Sequence, residues 1–257
     1  MVESAQQLSD IDVAAFHRDG FLVVPGLMDE AHCSALQSLA VSHLAEKMAP
    51  IEYEVDVQYP GSPKTSEAAG GDTPRRLLHA YARHPAVREV ATGEPVRSCL
   101  LQLFGQPHVE LSQCHHNCIM TKHPGYSSAT LWHQDNRYWS FDEQNLISVW
   151  IALGDETKTN GCLRVIPGSH KLDIEPGRFD AALFLRTDLT QNKALLNQAV
   201  PVELKRGDVL FFHSQLFHAA GRNRTDEVKL SVVFTYHESE NRPIENTRSA
   251  RFPSVKL

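Results

Sequence analysis

Gly207-Asp208-Val209-Leu210-Phe211-Phe212-His213-Ser214-Gln215-Leu216-Phe217-His218 reads as a tight turn that feeds an apolar strand and closes on histidine. Three more runs share its β-branched and aromatic character: Val109 to Gln113, Ile147 to Leu153, and Lys229 to Tyr236. Turn signals separate them at Gly125, Gly154-Asp155, Asn160-Gly161, Pro167-Gly168 and Arg206-Gly207-Asp208. Working outward toward the N-terminus, the period changes. Residues 8–48 read as helical, opened by the capping run Ser9-Asp10-Ile11-Asp12 and interrupted by a short strand at Gly20 to Gly26. Asp29-Glu30 opens a second helix, with Leu36, Leu39, Ala40 and Leu44 at helical spacing. Residues 60–74 are rich in Gly, Ser and Pro and read as a loop. Helices are expected over 84–91 and 95–104, the second ending at Gly105.

Helices first and short strands afterwards predict a mainly β protein with helical buttresses, its core a double-stranded β-helix of the jelly-roll, cupin-like type. No internal repeat is visible. The expected organisation is one domain over residues 1–257: a mostly helical part (1–106), a jelly-roll core (107–240) and a C-terminal tail (241–257). A hydrophobic content of 42% and a charged content of 22% are those of a soluble globular enzyme. A net charge of -6 excludes a general nucleic-acid binder, which needs a basic footprint. No apolar run approaches the roughly 18 residues that span a membrane. Met1-Val2-Glu3-Ser4-Ala5 has neither the basic nor the apolar region of a signal peptide. The five cysteines form no CxxC pair, which suits reduced thiols and a cytoplasmic location. The partner expected is a small-molecule substrate; nothing in the sequence sets an oligomeric state.

The chemistry begins at Trp132-His133-Gln134-Asp135. Residues two apart on a strand share a face, so His133 and Asp135 can direct an imidazole and a carboxylate at one point. A third imidazole from a distant strand completes a two-histidine-one-carboxylate triad, which leaves positions open on iron(II) for a co-substrate and oxygen. His213 and His218 compete for that role, and their spacing of five puts them on opposite faces of an unbroken strand. His218 is favoured because Lys229 and Ser231 follow it on one strand face. A dicarboxylate chelating the metal needs a cation and a hydroxyl donor for its far end. Lys122 is a second cation for that purpose.

These stretches resemble the phytanoyl-CoA dioxygenase family. The likeness runs from Phe16-His17-Arg18-Asp19-Gly20-Phe21 through Trp132-His133-Gln134-Asp135 and Val149-Trp150-Ile151-Ala152-Leu153. It continues in Asn160-Gly161-Cys162-Leu163-Arg164-Val165-Ile166-Pro167-Gly168-Ser169-His170 and closes on the strand ending at His218. The resemblance implies an iron(II) site at His133, Asp135 and His218, with 2-oxoglutarate and O2 as co-substrates and hydroxylation of an aliphatic carbon. Halogenating relatives replace the carboxylate ligand with a small residue; Asp135 is present here. The family commonly carries an arginine eleven residues beyond the distal histidine, where this chain has Lys229, with Arg222 and Arg224 as alternative anchors.

Tyr126, Arg137, Tyr138 and Trp150 are the candidate substrate-facing residues. His115, His116 and His123 are weaker candidates for the pocket, since adjacent strand residues face opposite sides, and His170 suits packing at a turn. Residues 60–74 and 171–200 are candidate lids. The absence of an evident basic cluster for a CoA thioester points to a small polar metabolite. The competing readings are a cupin-like isomerase or hydrolase that does without 2-oxoglutarate, and a non-catalytic metal-binding barrel.

Overall fold

The computed structural model describes residues 7–257, so the Met1-to-Ala5 stretch read above lies outside the described residues. In chain order the first part holds α1 (Asp10–Asp19), β1 (Phe21–Val24), α2 (Glu30–Ala45), β2 (Ile51–Tyr53), α3 (Glu54–Val57), β3 (Pro74–Leu78), α4 (Ala80–Arg83), α5 (Pro85–Thr92) and α6 (Glu94–Phe104). The second part holds β4 (Val109–Lys122), β5 (Thr130–His133), β6 (Leu146–Ala152), β7 (Leu163–Val165), α7 (Thr190–Leu196), β8 (Val200–Val202), β9 (Val209–His213), β10 (His218–Ala220), β11 (Lys229–Glu238) and β12 (Val255–Lys256). Ser9 caps α1 through a reciprocal box with Asp12. Gly20 ends the helix at φ 81, and a Cβ there would sit 2.4 Å from the His170 ring. Only glycine satisfies both the left-handed backbone and that approach.

Two sheets face one another. The eight-stranded sheet runs β1-β9-β6-β11-β4-β3-β2, with β12 also paired to β4; the four-stranded sheet runs β5-β10-β7-β8. Side-chain alternation sorts the central strands into two cores. Leu230, Val232, Phe234 and Tyr236 of β11 join Val149, Phe211 and the apolar faces of α2, α5 and α6 in one cluster. Their neighbours Val233, Trp150, Leu210 and Phe212 point the other way, against Leu163 and Val165 of the smaller sheet. Burial on both faces is why β6, β9 and β11 read as nearly unbroken apolar runs. This antiparallel two-sheet arrangement with helices on one outer face is the jelly roll expected from the sequence.

The first hundred residues hold more than helices, because β1, β2 and β3 extend the large sheet at its two ends. Pro74, read as the end of a loop, instead opens β3. In β4, Asn117 pairs with Phe234 but Ser112 pairs with the very next residue, Thr235. Residues 113–116 therefore bulge out of the ladder with β11. The C-terminal segment folds back through β12 onto Glu110 and Leu111. Among the described residues, no helix is long and apolar enough to cross a membrane.

Candidate metal centre and co-substrate cavity

His133 closes β5, and its direct partner across the small sheet is His218, the first residue of β10. Asp135 follows one extended residue later at the start of a 3-10 turn, its amide donating to the Ser214 carbonyl at 2.9 Å. One ligand atom from each of the three lies within 4.8 Å of the others, and all three residues are buried. The His133 Nδ1 sits 2.8 Å from the Leu131 carbonyl, and the His218 Nδ1 3.1 Å from the Leu216 carbonyl. A carbonyl only accepts, so each Nδ1 carries the proton and each Nε2 presents its lone pair inward. Burial, with His218 alongside, pushes the His133 imidazolium down to about 3. His218 is lowered by burial as well. Burial acts to raise Asp135, but His116 and His218 outweigh it and hold the carboxyl well below its ordinary value. Two neutral nitrogens and one carboxylate oxygen on one side of a cavity are the donor set that fits iron(II).

His213, the competing imidazole, points elsewhere: its ring lies 5.2 Å from that of His170, and its Nδ1 accepts the Gln215 amide at 3.1 Å. His116 does reach the centre, its Nε2 being 2.9 Å from Asp135 Oδ1. Burial pulls its imidazolium down, but the charge and hydrogen bond of Asp135 prevail and leave it at about 9. Its neighbour His115 also faces the groove, stacked on Trp139 at 4.5 Å and bonded to Ser249 Oγ at 2.9 Å. Strict alternation forbids that pairing; the bulge at 113–116 permits it.

Two cavities meet at the triad. The first is lined, besides the triad, by Lys122, Lys229, Trp150 and Arg75. Lys122 and Lys229 face each other in register across β4 and β11. Lys229 Nζ donates to Glu156 Oε2 at 2.6 Å and to Ser231 Oγ at 3.3 Å. The other Glu156 oxygen accepts from Ser231 Oγ at 2.6 Å and from Trp150 Nε1 at 2.7 Å. Glu156 is fully buried. Lys122 Nζ makes one hydrogen bond among the described residues, to the Ser128 carbonyl at 3.0 Å. Burial, with the Lys229 and Arg75 charges nearby, pushes its ammonium down to about 7. The second cavity, about 990 Å³, opens from the triad past Arg76, Tyr59, Arg137, Trp139 and Arg248.

The sequence pattern of the phytanoyl-CoA dioxygenase (PhyH) family matches residues 16–231. The chain belongs to the phytanoyl-CoA dioxygenase family. Phytanoyl-CoA dioxygenase 1 of Oryza sativa subsp. japonica is 36% identical over 102 residues, which are 40% of this chain and 36% of the rice protein. Phytanoyl-CoA dioxygenase domain-containing protein 1 of Danio rerio is 25% identical over 96% of this chain and 98% of its own length. Among solved structures, EctD from S. alaskensis with 2-oxoglutarate and 5-hydroxyectoine superposes with a TM-score of 0.76 over 95% of this chain and 82% of that one. At 22% identity that likeness shows the fold.

As a phytanoyl-CoA dioxygenase family member the chain is a non-haem iron, 2-oxoglutarate-dependent dioxygenase. The other residues expected at the site lie in different surroundings. Tyr126 lines neither cavity: it is 44% exposed, and its ring covers Gly70, where a Cβ would come within 2.2 Å. Trp150 lines the first cavity, but its N–H is committed to Glu156. Arg137 and Tyr138 do line the outer cavity. The Arg137 guanidinium lies 4.1 Å from the Phe184 ring centre, and Tyr138 donates to the Ala182 carbonyl at 2.9 Å. Arg222 is turned outward to the Ser127 carbonyl at 3.0 Å, so it is no anchor. Glu156, Arg75, Arg76 and Arg248 were not singled out in the sequence. Pro74-Arg75-Arg76 adjoins the loop-like stretch 60–74 and Glu156 follows a turn, so each reads as a surface charge.

Proposed function

We propose that this family member hydroxylates an aliphatic carbon of a small polar metabolite, with His133, Asp135 and His218 holding iron(II). The overall reaction adds one oxygen atom of O2 to the C–H bond and the other to 2-oxoglutarate, which leaves as succinate and CO2. Iron bound at the triad supplies the oxygen activation that couples the two halves. The observation that carries the reading is the triad itself: three buried donors, with both imidazoles fixed as Nδ1–H tautomers by backbone carbonyls. Asp135 retains the carboxylate, which favours hydroxylation over halide transfer.

The residues divide the remaining work by position. The narrow cavity, which takes in the buried ammonium of Lys122, suits the chain of 2-oxoglutarate, whose far carboxylate needs a cation. The wider cavity with Arg137, Tyr138 and Trp139 suits the substrate, and its reach to His133 and Asp135 brings a C–H bond near the metal. Ser148 Oγ, 3.3 Å from Asp135 Oδ2, keeps the carboxylate oriented. Five free, buried cysteines support a reducing compartment such as the cytoplasm. The test is anaerobic. Iron(II) and then 2-oxoglutarate are added to the apoprotein, and the visible spectrum is recorded. A weak metal-to-ligand charge-transfer band, absent in His133→Ala, is expected, followed by substrate-stimulated succinate release. Iron binding without such a band refutes the assignment of 2-oxoglutarate to this cavity.

A further inference from the structure

The charges that line the co-substrate cavity pair off, with one exception. Arg75 lies 3.3 Å from Glu52 and 3.6 Å from Glu54, and Arg76 lies 3.3 Å from Glu52. Lys229 is matched by Glu156 at 2.6 Å, with Ser231 and Trp150 also donating to that carboxylate. The cation and hydroxyl expected to receive the far carboxylate of 2-oxoglutarate are therefore both engaged by a carboxylate of the protein itself. Lys122 has no carboxylate within ion-pair distance among the described residues, and only one of its three N–H groups is used. It is buried, it lines the same cavity as the triad, and it stands directly across the sheet from Lys229.

We infer that Lys122 supplies the net positive charge that anchors the far carboxylate of 2-oxoglutarate, while Glu156 and Lys229 form a neutral, internally satisfied pair beside it. The inference rests on the proposed assignment of this cavity to 2-oxoglutarate. With Lys122 protonated, two lysines and one glutamate leave one unit of positive charge, which one carboxylate cancels. Adding the ligand to Lys122 also supplies the anion that a buried ammonium next to two other cations lacks. Placing the ligand on Lys229 alone sets two carboxylates against one ammonium and leaves Lys122 uncompensated. Glu156 thus explains how lysine serves where an arginine is common in the family: the charge at that position is already neutralised, and the anchor moves one strand over.

The test separates charge count from residue position. Equilibrium affinity for 2-oxoglutarate is measured anaerobically from the charge-transfer band of the iron(II) enzyme, in wild type, Lys122→Met and the double variant Lys229→Met/Glu156→Gln. Circular dichroism and iron content check that each variant is folded and loaded. Lys122→Met is expected to weaken binding by about 10- to 100-fold, the loss of one charge-assisted hydrogen bond. The double variant removes a neutral pair and is expected to stay within about fivefold of wild type, on the same scale of affinities. The inference is overturned if the double variant loses binding as Lys122→Met does, if it alone loses binding, or if Lys122→Met binds normally. No band in the wild type is a different result: it removes the assignment of the cavity and the inference with it.

Discussion

Lys229→Met removes the cation from a carboxylate that water cannot reach. Glu156 is fully buried, and it would keep only the Trp150 and Ser231 donors. Breaking a buried ion pair by deleting one partner costs about 3–5 kcal/mol, because the remaining charge is left uncompensated. Lys122, in register on the neighbouring strand, can turn toward Glu156 and take up part of that pairing. The expected loss therefore sits at the low end, about 3 kcal/mol. For a domain of this size that corresponds to a fall in Tm of roughly 6–12 °C. Adding Glu156→Gln removes the stranded charge and should recover most of the loss, leaving the double variant within about 1.5 kcal/mol of wild type. Urea denaturation followed by circular dichroism, on the metal-free protein, reads each variant and the coupling between them. A single variant within about 0.5 kcal/mol of wild type, or a double variant less stable than the single, refutes the argument that the pair is buried and matched.

Three other changes have expected outcomes. Phe234→Ala empties a fully buried position between the large sheet and the helices and should cost about 3–5 kcal/mol in the same denaturation assay. Gly20→Ala adds a Cβ at φ 81 and 2.4 Å from His170, so α1 should lose its close junction with β1, with a loss of about 1–3 kcal/mol. The lowered Lys122 ammonium makes the metal-free protein gain stability as pH rises above about 7. There the folded state has released a proton that the unfolded chain still holds, so the slope is positive, at most about 1.4 kcal/mol per pH unit. Unfolding free energies between pH 7 and 9 should show this gain in wild type relative to Lys122→Met; parallel curves would contradict it.

The triad and the central strands were legible in the sequence because their signals are local. His133 and Asp135 declare themselves by a spacing of two, and β6, β9 and β11 by unbroken apolar runs bounded by turns. What escaped is long-range. Whether a carboxylate after a turn faces water or folds inward depends on what packs above it, so nothing local marked Glu156 as the buried partner of Lys229. Strict alternation places His115 and His116 on opposite faces, and only the register of β11 against β4 reveals the bulge that brings both round. Tyr126 looked well placed because it precedes the metal strand by a few residues, yet the intervening loop carries it to the surface. Arg248 was assigned to a tail, and it lines the outer cavity because the C-terminal segment turns back through β12 onto β4.

The division of the site between the two sheets has a mechanical side. His133 and His218 sit on the small sheet, whose strands span only three or four residues each. Lys122, Lys229 and Ser231 sit on the long strands of the large one. A molecule that chelates at one end and is gripped at the other acts as a rivet between a stiff plate and a thin one. Short strands hold few ladder hydrogen bonds, so the thin plate has most to gain from being fastened. Amide exchange in β5 and β10 should slow when the co-substrate is in place, while β11, locked from both faces already, should scarcely register its arrival.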